Sequence, residues 1–308
     1  MAVTIDQVTA LQFSATLLTL SQQKESKFAS RVRQERVSSA EHAYFDTIDA
    51  YDAPSQKADR HGDTPLSEAT FARRKVTPFT WEAGTLLDKY DMDRMLADPQ
   101  GPVVQAHSMS LGRKKDDLII AAMVGDATIG KNGGSTIAFE DESISISGTA
   151  AGIKTVLGTA AVIGTIADID LTKILMMTEI FNEQDVDPAI PKHWAVSPKD
   201  IADMLAIEQI GSADYNTVKA IQQGGVDTYA GFGFFWTNRL LQDSTGVAYR
   251  TLAWAQDGVI LATIGDINTA ITPRPDKRNY TQVYSNMDLG AVRMEGAKVH
   301  ECLTKIAV

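Results

Sequence analysis

With 308 residues, 44% of them hydrophobic, the chain has apolar surface for one or two globular cores. A formal net charge of −10 argues against a protein that grips phosphate backbones, because such binding draws on Lys and Arg displacing counterions. The single cysteine, Cys302, excludes an intramolecular disulfide framework and a multi-cysteine zinc site, and leaves only pairing between subunits open.

The N-terminus alternates apolar and polar residues and first becomes charged near Lys24, the reverse of a secretory signal, so the chain reads as mature and untargeted. Ile5, Val8, Leu11, Ala15 and Leu18 follow a helical spacing over 5–20. From Ser21 to Arg36 polarity rises, and Phe28 and Val32 are the large apolar residues that remain. Such an arm has too little apolar area to offset its ordering entropy alone, so it is expected to pack on another chain or stay mobile.

Residues 50–75 are polar, rich in turn formers and without helical period, which predicts a long excursion that covers or binds something. Strand-like stretches flank it, Ala43 to Ile48 and Lys75 to Trp81, and suggest a projecting two-stranded arm. Asp91 to Leu96 reads as a short helix stopped at Asp98-Pro99, and a longer helix follows over about 102–124. Its apolar face carries Val104, Leu111, Leu118 and Ala122, with Arg113 and Asp117 on a solvated side and Gly112 as a weak point. Leu118 to Val124 is among the longest apolar runs, far below the roughly 20 residues a membrane span needs, so no membrane association is expected.

Ser135 to Glu140 and Ser143 to Ser147 alternate like strands, and Asp141 with Glu142 between them suggests a hairpin. Leu171 to Gln184 is helical, and the prolines of Asp185 to Pro191 mark the preferred boundary into a second domain. There His193 to Val196 reads as a strand, Pro198 to Leu205 as a helix opened by Ser197, and Asp214 to Gln223 as a helix ended by Gly224-Gly225. Gly231 to Trp236 is a buried aromatic strand, and Ala253 to Ile264 and Val283 to Cys302 are strand-like.

Gly125 to Asn132 satisfies G-x-x-x-x-G-K, but Asn132 stands where a phosphate loop needs Ser or Thr, and a helix precedes the motif instead of following it. A flexible turn is the better reading. Asp88, Asp91 and Asp93 lack the glycine and terminal Glu of a calcium loop, and His42, His61, His107, His193 and His300 show no paired metal-ligand spacing. Without a G-x-S-x-G elbow, and with Cys302 placed as a small apolar residue, no catalytic residue, cofactor or metal is expected. Asn279-Tyr-Thr281 matches a glycosylation sequon that a chain without a signal would not use. The basic arm at 24–36, interspersed with glutamates, reads as a solvated or subunit-facing helix before a nucleic-acid contact.

The order of elements is arm, long loop, spine-like helix, β-rich region, second α/β region and return strand. Its local residues are Ala29 to Arg33 onward to Phe45, His61-Gly-Asp-Thr-Pro65, Asp91 to Pro99, Gly112 to Asp117, Ile210 to Asn216 and Gly231 to Asn238. This pattern resembles the podovirus-type major capsid proteins of tailed bacteriophages, with their α+β Hong Kong 97 fold. The resemblance implies an N-arm at 1–37, an extended loop at 38–85, and a peripheral domain at 86–190 completed by 276–308. It implies an axial domain at 191–275. The chain would then be a non-enzymatic shell subunit whose partners are itself in hexamers and pentamers, a portal protein, an optional decoration protein and packaged double-stranded DNA bound without specificity. The short arm implies a separate scaffolding protein. Contacts between subunits are expected at Phe28, Arg31, Arg33, Lys57, Arg60, His61, Asp63, Arg73 and Arg74. Lys57 is also placed where some relatives cross-link a loop lysine, though no partner asparagine or activating carboxylate is identifiable. An encapsulin-like compartment on the same fold and a nucleotide-binding enzyme are the alternatives.

Overall fold

A computed structural model describes residues 21–38, 41–48, 70–88, 100–146, 166–207 and 228–306. The helices expected over 5–20, 91–96 and 214–223, and the loop over 50–69, lie outside these residues. The order is β1 (Arg33–Arg36), β2 (Ala43–Ile48), β3 (Phe71–Val76), β4 (Phe79–Leu87), α1 (Gln100–Val124), β5 (Ala127–Ile129), β6 (Ser135–Ile137), α2 (Phe139–Glu142), β7 (Ser145–Ile146), α3 (Leu171–Glu183), β8 (Lys192–Val196) and α4 (Pro198–Ala206). Then come β9 (Thr228–Tyr229), β10 (Phe232–Trp236), β11 (Ala248–Ala255), β12 (Val259–Arg274), β13 (Tyr280–Arg293) and β14 (Val299–Lys305). Contacts group the described residues into two units. One comprises 21–26, Thr80–Lys114 and Gly265–Asp288; the other comprises the described parts of Lys27–Phe79, Lys115–Ile264 and Leu289–Val308.

The larger unit is organised by a six-stranded mixed sheet ordered β7-β14-β11-β8-β10-β9. Its central strand β11 pairs antiparallel with β14 from Ala248↔Lys305 to Trp254↔Val299 and with β8 from Leu252↔Ala195 to Ala255↔Lys192. One face of β11 is small: Ala253 and Ala255 leave room for a core of Ile174, Met177, Ile180 and Phe181 from α3, Trp194 from β8, and Phe232 and Phe234 from β10. Trp194 satisfies its indole N–H on Thr251 Oγ1 at 3.2 Å. The turn at 185–191, expected as a domain boundary, instead joins two elements of this one core, because Val186 and Ile190 pack into it.

Helix ends follow the local sequence. Asp170 accepts the N–H of Lys173 at the start of α3. Ser197 and Asp200 form a reciprocal capping box, with Pro198 in the first turn of α4, where its missing N–H costs nothing.

The other face of β11 carries Trp254 and is closed by the entering chain. Phe28 is fully buried, stacked on Trp254 with centroids 5.4 Å apart and edge-on to Phe235 at 5.1 Å. The carboxylate of Asp116, itself fully buried on α1, accepts the backbone N–H groups of Lys27 at 3.1 Å and Phe28 at 3.2 Å. Trp254 Nε1 donates to Arg31 O at 2.9 Å, Arg31 lies over the Phe235 ring, and β1 then pairs in parallel with β12 from Arg33↔Ile260 to Arg36↔Thr263. The expectation that the arm cannot bury itself is corrected here. Phe28 in an aromatic slot, with its N–H and that of Lys27 met by one carboxylate, secures the segment.

A second sheet in this unit is ordered β2-β3-β5-β6. The expected hairpin over 135–147 does not form: β6 joins this sheet, β7 joins the six-stranded one, and the one-turn helix α2 stands between them. Likewise Val283 to Cys302 is two strands, β13 and β14, separated by a 3-10 turn at Gly296–Lys298.

In the smaller unit, His107 of α1 is buried between Thr85 (Oγ1 at 2.8 Å) and Ser285 (Oγ at 3.5 Å), and Ser285 meets Thr269 at 3.0 Å. Lys114 lies 4.0 Å over the Trp81 ring. Gly112 has a positional reason, since a Cβ there would lie 3.4 Å from the backbone nitrogen of Ser26. The apolar stripe of α1 is thin because His107 and Asp116 occupy inward positions alongside Leu111, Ile119, Ile120 and Met123. The residues expected on its solvated side are engaged as well: Arg113 donates to Gln22 Oε1 at 2.7 Å, and Asp117 is paired with Arg239. The tip between β12 and β13 turns through Arg278 and Asn279 in the left-handed region.

Two expected outcomes follow from the larger core. Asp116→Ala leaves the buried N–H of Phe28 and the half-buried N–H of Lys27 without this acceptor and should cost about 2–4 kcal/mol, with faster amide exchange at Lys27 and Phe28 than in β8 or β14. His300 is fully buried; its Nδ1 accepts the N–H of Ile144 at 3.1 Å, its Nε2 faces Ala297 O at 2.9 Å, and burial pushes its imidazole down to about 4 from 6.5. Below the ordinary value the unfolded chain takes up a proton that the folded chain refuses. Stability is therefore full above that pH and falls toward pH ~4 by roughly 3 kcal/mol. Urea denaturation from about pH 7 to about pH 4 should show this slope, and His300→Gln should reduce it without abolishing it, because burial also pushes the His193 imidazole down to about 4.

Candidate inter-subunit surfaces

The β2–β3 hairpin pairs antiparallel from Ala43↔Val76 to Ile48↔Phe71. Strand alternation sends Ala43, Phe45 and Val76 to a core shared with Val37, Ala127, Ile260, Ala262, Val292 and Met294. The opposite face carries Tyr44, Asp46 and Ile48 against Lys75, Arg73 and Phe71. Asp46 and Arg73 form a two-pronged ion pair at 2.6 and 2.8 Å, which the Arg73 guanidinium holds together by drawing the carboxyl below its usual range. Beyond this pair, Ile48 is 60% exposed and Phe71 67% exposed, directly opposite one another. An adjacent cavity is lined by Asp46, Phe71, Ala72, Arg73, Gly130 and Lys131. A cross-strand pair of large apolar side chains in water is a surface that gains by being covered.

The base of the hairpin is charged and buried. Arg74 is 7% exposed; its Nε donates to Met294 O at 3.0 Å and its Nη2 binds Glu142. The same Glu142 carboxylate meets Arg293 Nε at 3.3 Å. Arg293 is fully buried, and its Nη1 donates to Met123 O and Gly125 O, each at 2.8 Å, at the carboxyl end of α1. Burial lowers the pKa of this guanidinium, which Glu142 opposes.

The expected contact residues divide accordingly. Phe28 and Arg74 are corrected to intrachain residues, because the slot beside Trp254 and the Glu142 carboxylate already enclose them. Arg31 is engaged with Lys27 O and Phe235, while Arg33 stands on edge strand β1 bonded to Glu35. Arg73 remains on the outward hairpin face. Lys57, Arg60, His61 and Asp63 lie outside the described residues. Ile48, Phe71 and Glu142 were not singled out from sequence. For the first two, a signal existed in the apolar residues at both mouths of a polar loop; for Glu142 there was none.

Other chemistry finds no support in the geometry. Gly125 to Asn132 contains β5 and a turn toward β6 through Gly130 and Gly133, both at positive φ, with no helix N-terminus following. Cys302 is fully buried and burial pushes its thiol up to about 12, which corrects the idea that it could pair between subunits. Among the described residues, no three His, Cys, Asp or Glu side chains group as a metal site, and no helix is long and apolar enough to cross a membrane.

Comparison with known proteins gives a uniform result. The family model for "phage capsid protein" matches residues 5–305. No curated protein matches the sequence. Among solved structures, the capsid of cyanophage P-SCSP1u superposes with a TM-score of 0.74 at 12% identity, over 100% of this chain and 96% of that one. The cyanophage Pam1 capsid gives 0.69 at 13% identity over 97% of each chain, and the capsid of a native GTA particle gives 0.66 at 9% over 97% and 96%. These likenesses establish the α+β capsid fold that the sequence resemblance implied, the Hong Kong 97-like architecture. With a family match over nearly its whole length, the chain belongs to the phage capsid protein family and is a shell-building structural subunit.

Proposed function

We propose that copies of this chain assemble as hexamers and pentamers into a closed icosahedral shell around a tailed phage's double-stranded DNA, with scaffolding and portal proteins as assembly partners and a decoration protein optional. The observation that carries this reading is the outward face of the β2–β3 hairpin. Ile48 and Phe71 remain exposed beside a core in which comparable side chains are buried, and a repeated copy of the subunit is the simplest way to cover the same face on every copy. The hairpin and the loop it carries, 38–85, would lie over a neighbour. The formal charge of −10 suits a wall that holds DNA without trapping it.

Negative-stain electron microscopy of the chain, alone and with scaffolding protein, should show closed particles or aberrant spirals. Phe71→Asp combined with Ile48→Asp changes only exposed positions, so the subunit should keep its thermal midpoint yet yield few or no closed shells. Wild-type chain that stays monomeric under both conditions would sink the assembly reading.

A further inference from the structure

We propose that Glu142 is the positioning residue of the β2–β3 hairpin: by holding Arg74 and Arg293 together, it locks the hairpin's base to the carboxyl end of α1 and sets the direction in which the hairpin projects. This rests on the hairpin being the inter-subunit arm.

The backbone attachment of the hairpin to the rest of its sheet is thin. β3 meets β5 through the single pair Arg74↔Ile129, with Gly130 N–H reaching Arg73 O at 3.3 Å. The apolar base at Ala43 and Val76 supplies a non-directional pivot. Direction needs bonds with geometry, and Arg74 provides them: a planar fork with one prong on Met294 O and one on Glu142.

Glu142 is itself held. A Cβ on Gly296 would fall 2.1 Å from Glu142 Cβ and 2.6 Å from its carbonyl oxygen, so only glycine lets the two backbones approach. Ser143 Oγ ties down the same place on Gly296 O at 3.3 Å. From the far side, Arg293 spans Glu142, the carbonyls of Met123 in the last turn of α1 and of Gly125 just after it, and Ile137 O at 3.4 Å. A cation at a helix carboxyl end is favourable, so Arg293 stays in place and serves as the fixed post.

As a stabilising device the triad is poor. Two buried guanidinium groups share one carboxylate, and Arg74 Nη1 has no hydrogen-bond partner among the described residues. Buried ion triads of this kind are often replaceable by apolar groups without loss of stability, and an orienting role is the use that suits them.

The test is hydrogen exchange on the full-length chain carrying Glu142→Gln, which keeps shape and removes charge. Amides of β2 and β3 should exchange about tenfold faster while those of β8, β11 and β14 do not change. The variant should also give shells of irregular size. Unchanged hairpin exchange, equal acceleration throughout the molecule, or normal shells would each overturn the assignment. Should Glu142→Gln fail to fold, Arg74→Lys keeps the charge but loses the fork, and it should speed hairpin exchange alone; no change there overturns the proposal. Wild-type chain that forms no shells defeats the assembly reading without touching the exchange result, so the two failures are distinguishable.

Discussion

Strand β11 is the constraint on which the larger unit depends. It lies between β14 and β8, so its peptide groups are satisfied on both edges, and from Thr251 to Ala255 it is buried on both faces. A strand in that position needs two covers. Its alanine face receives α3 and the aromatic residues of β8 and β10; its Trp254 face receives Phe28. The entering segment is thus part of the core, and the long helix is tied in because Asp116 supplies the acceptor that makes burial of the Lys27 and Phe28 N–H groups tolerable.

The buried charges share one logic. Asp116 receives backbone N–H groups, Lys173 donates to the carbonyls of Ala167 and Leu303 at 2.7 and 2.8 Å, and Arg293 donates to the carbonyls that end α1. Asp200 accepts the Ser197 N–H at 2.8 Å and the Thr304 hydroxyl at 3.2 Å. Asp116, Asp200 and Arg293 meet main-chain groups beside the ends of elements, where regular secondary structure leaves such groups unpaired, while Lys173 bridges Ala167 O before α3 and Leu303 O within β14. This accounts for a molecule rich in buried titratable groups that nonetheless assembles no catalytic constellation among the described residues. The charges join elements to one another instead of facing a substrate.

Against that closed interior the β2–β3 hairpin stands out. Its inner face is committed to its own chain, while its outer face offers an ion pair followed by two uncovered apolar side chains. The asymmetry is what a subunit needs if it must fold by itself and still have something to gain from a neighbour. It also separates the two requirements physically, since substitutions on the outer face leave the core untouched.

Much of this was legible in the sequence because it is local. The periodicity of Leu171 to Gln184, the Ser197–Pro198–Asp200 start of α4 and the aromatic run Gly231 to Trp236 each encode their element within a few residues. The order of such elements was enough to reach the capsid fold. What only the tertiary structure decided was pairing. Alternation over Ser135 to Ser147 specifies strands but not which sheet each joins, so two strands that looked like one hairpin went to different sheets. Phe28 in a polar arm reads as unsupported until Trp254, more than two hundred residues away, comes beside it. Glu142 reads as a turn residue until Arg74 and Arg293 converge on it. Period and capping are properties of neighbours in the chain; a slot, a sheet edge or a shared carboxylate exists only once distant segments meet, and no local pattern records which ones will.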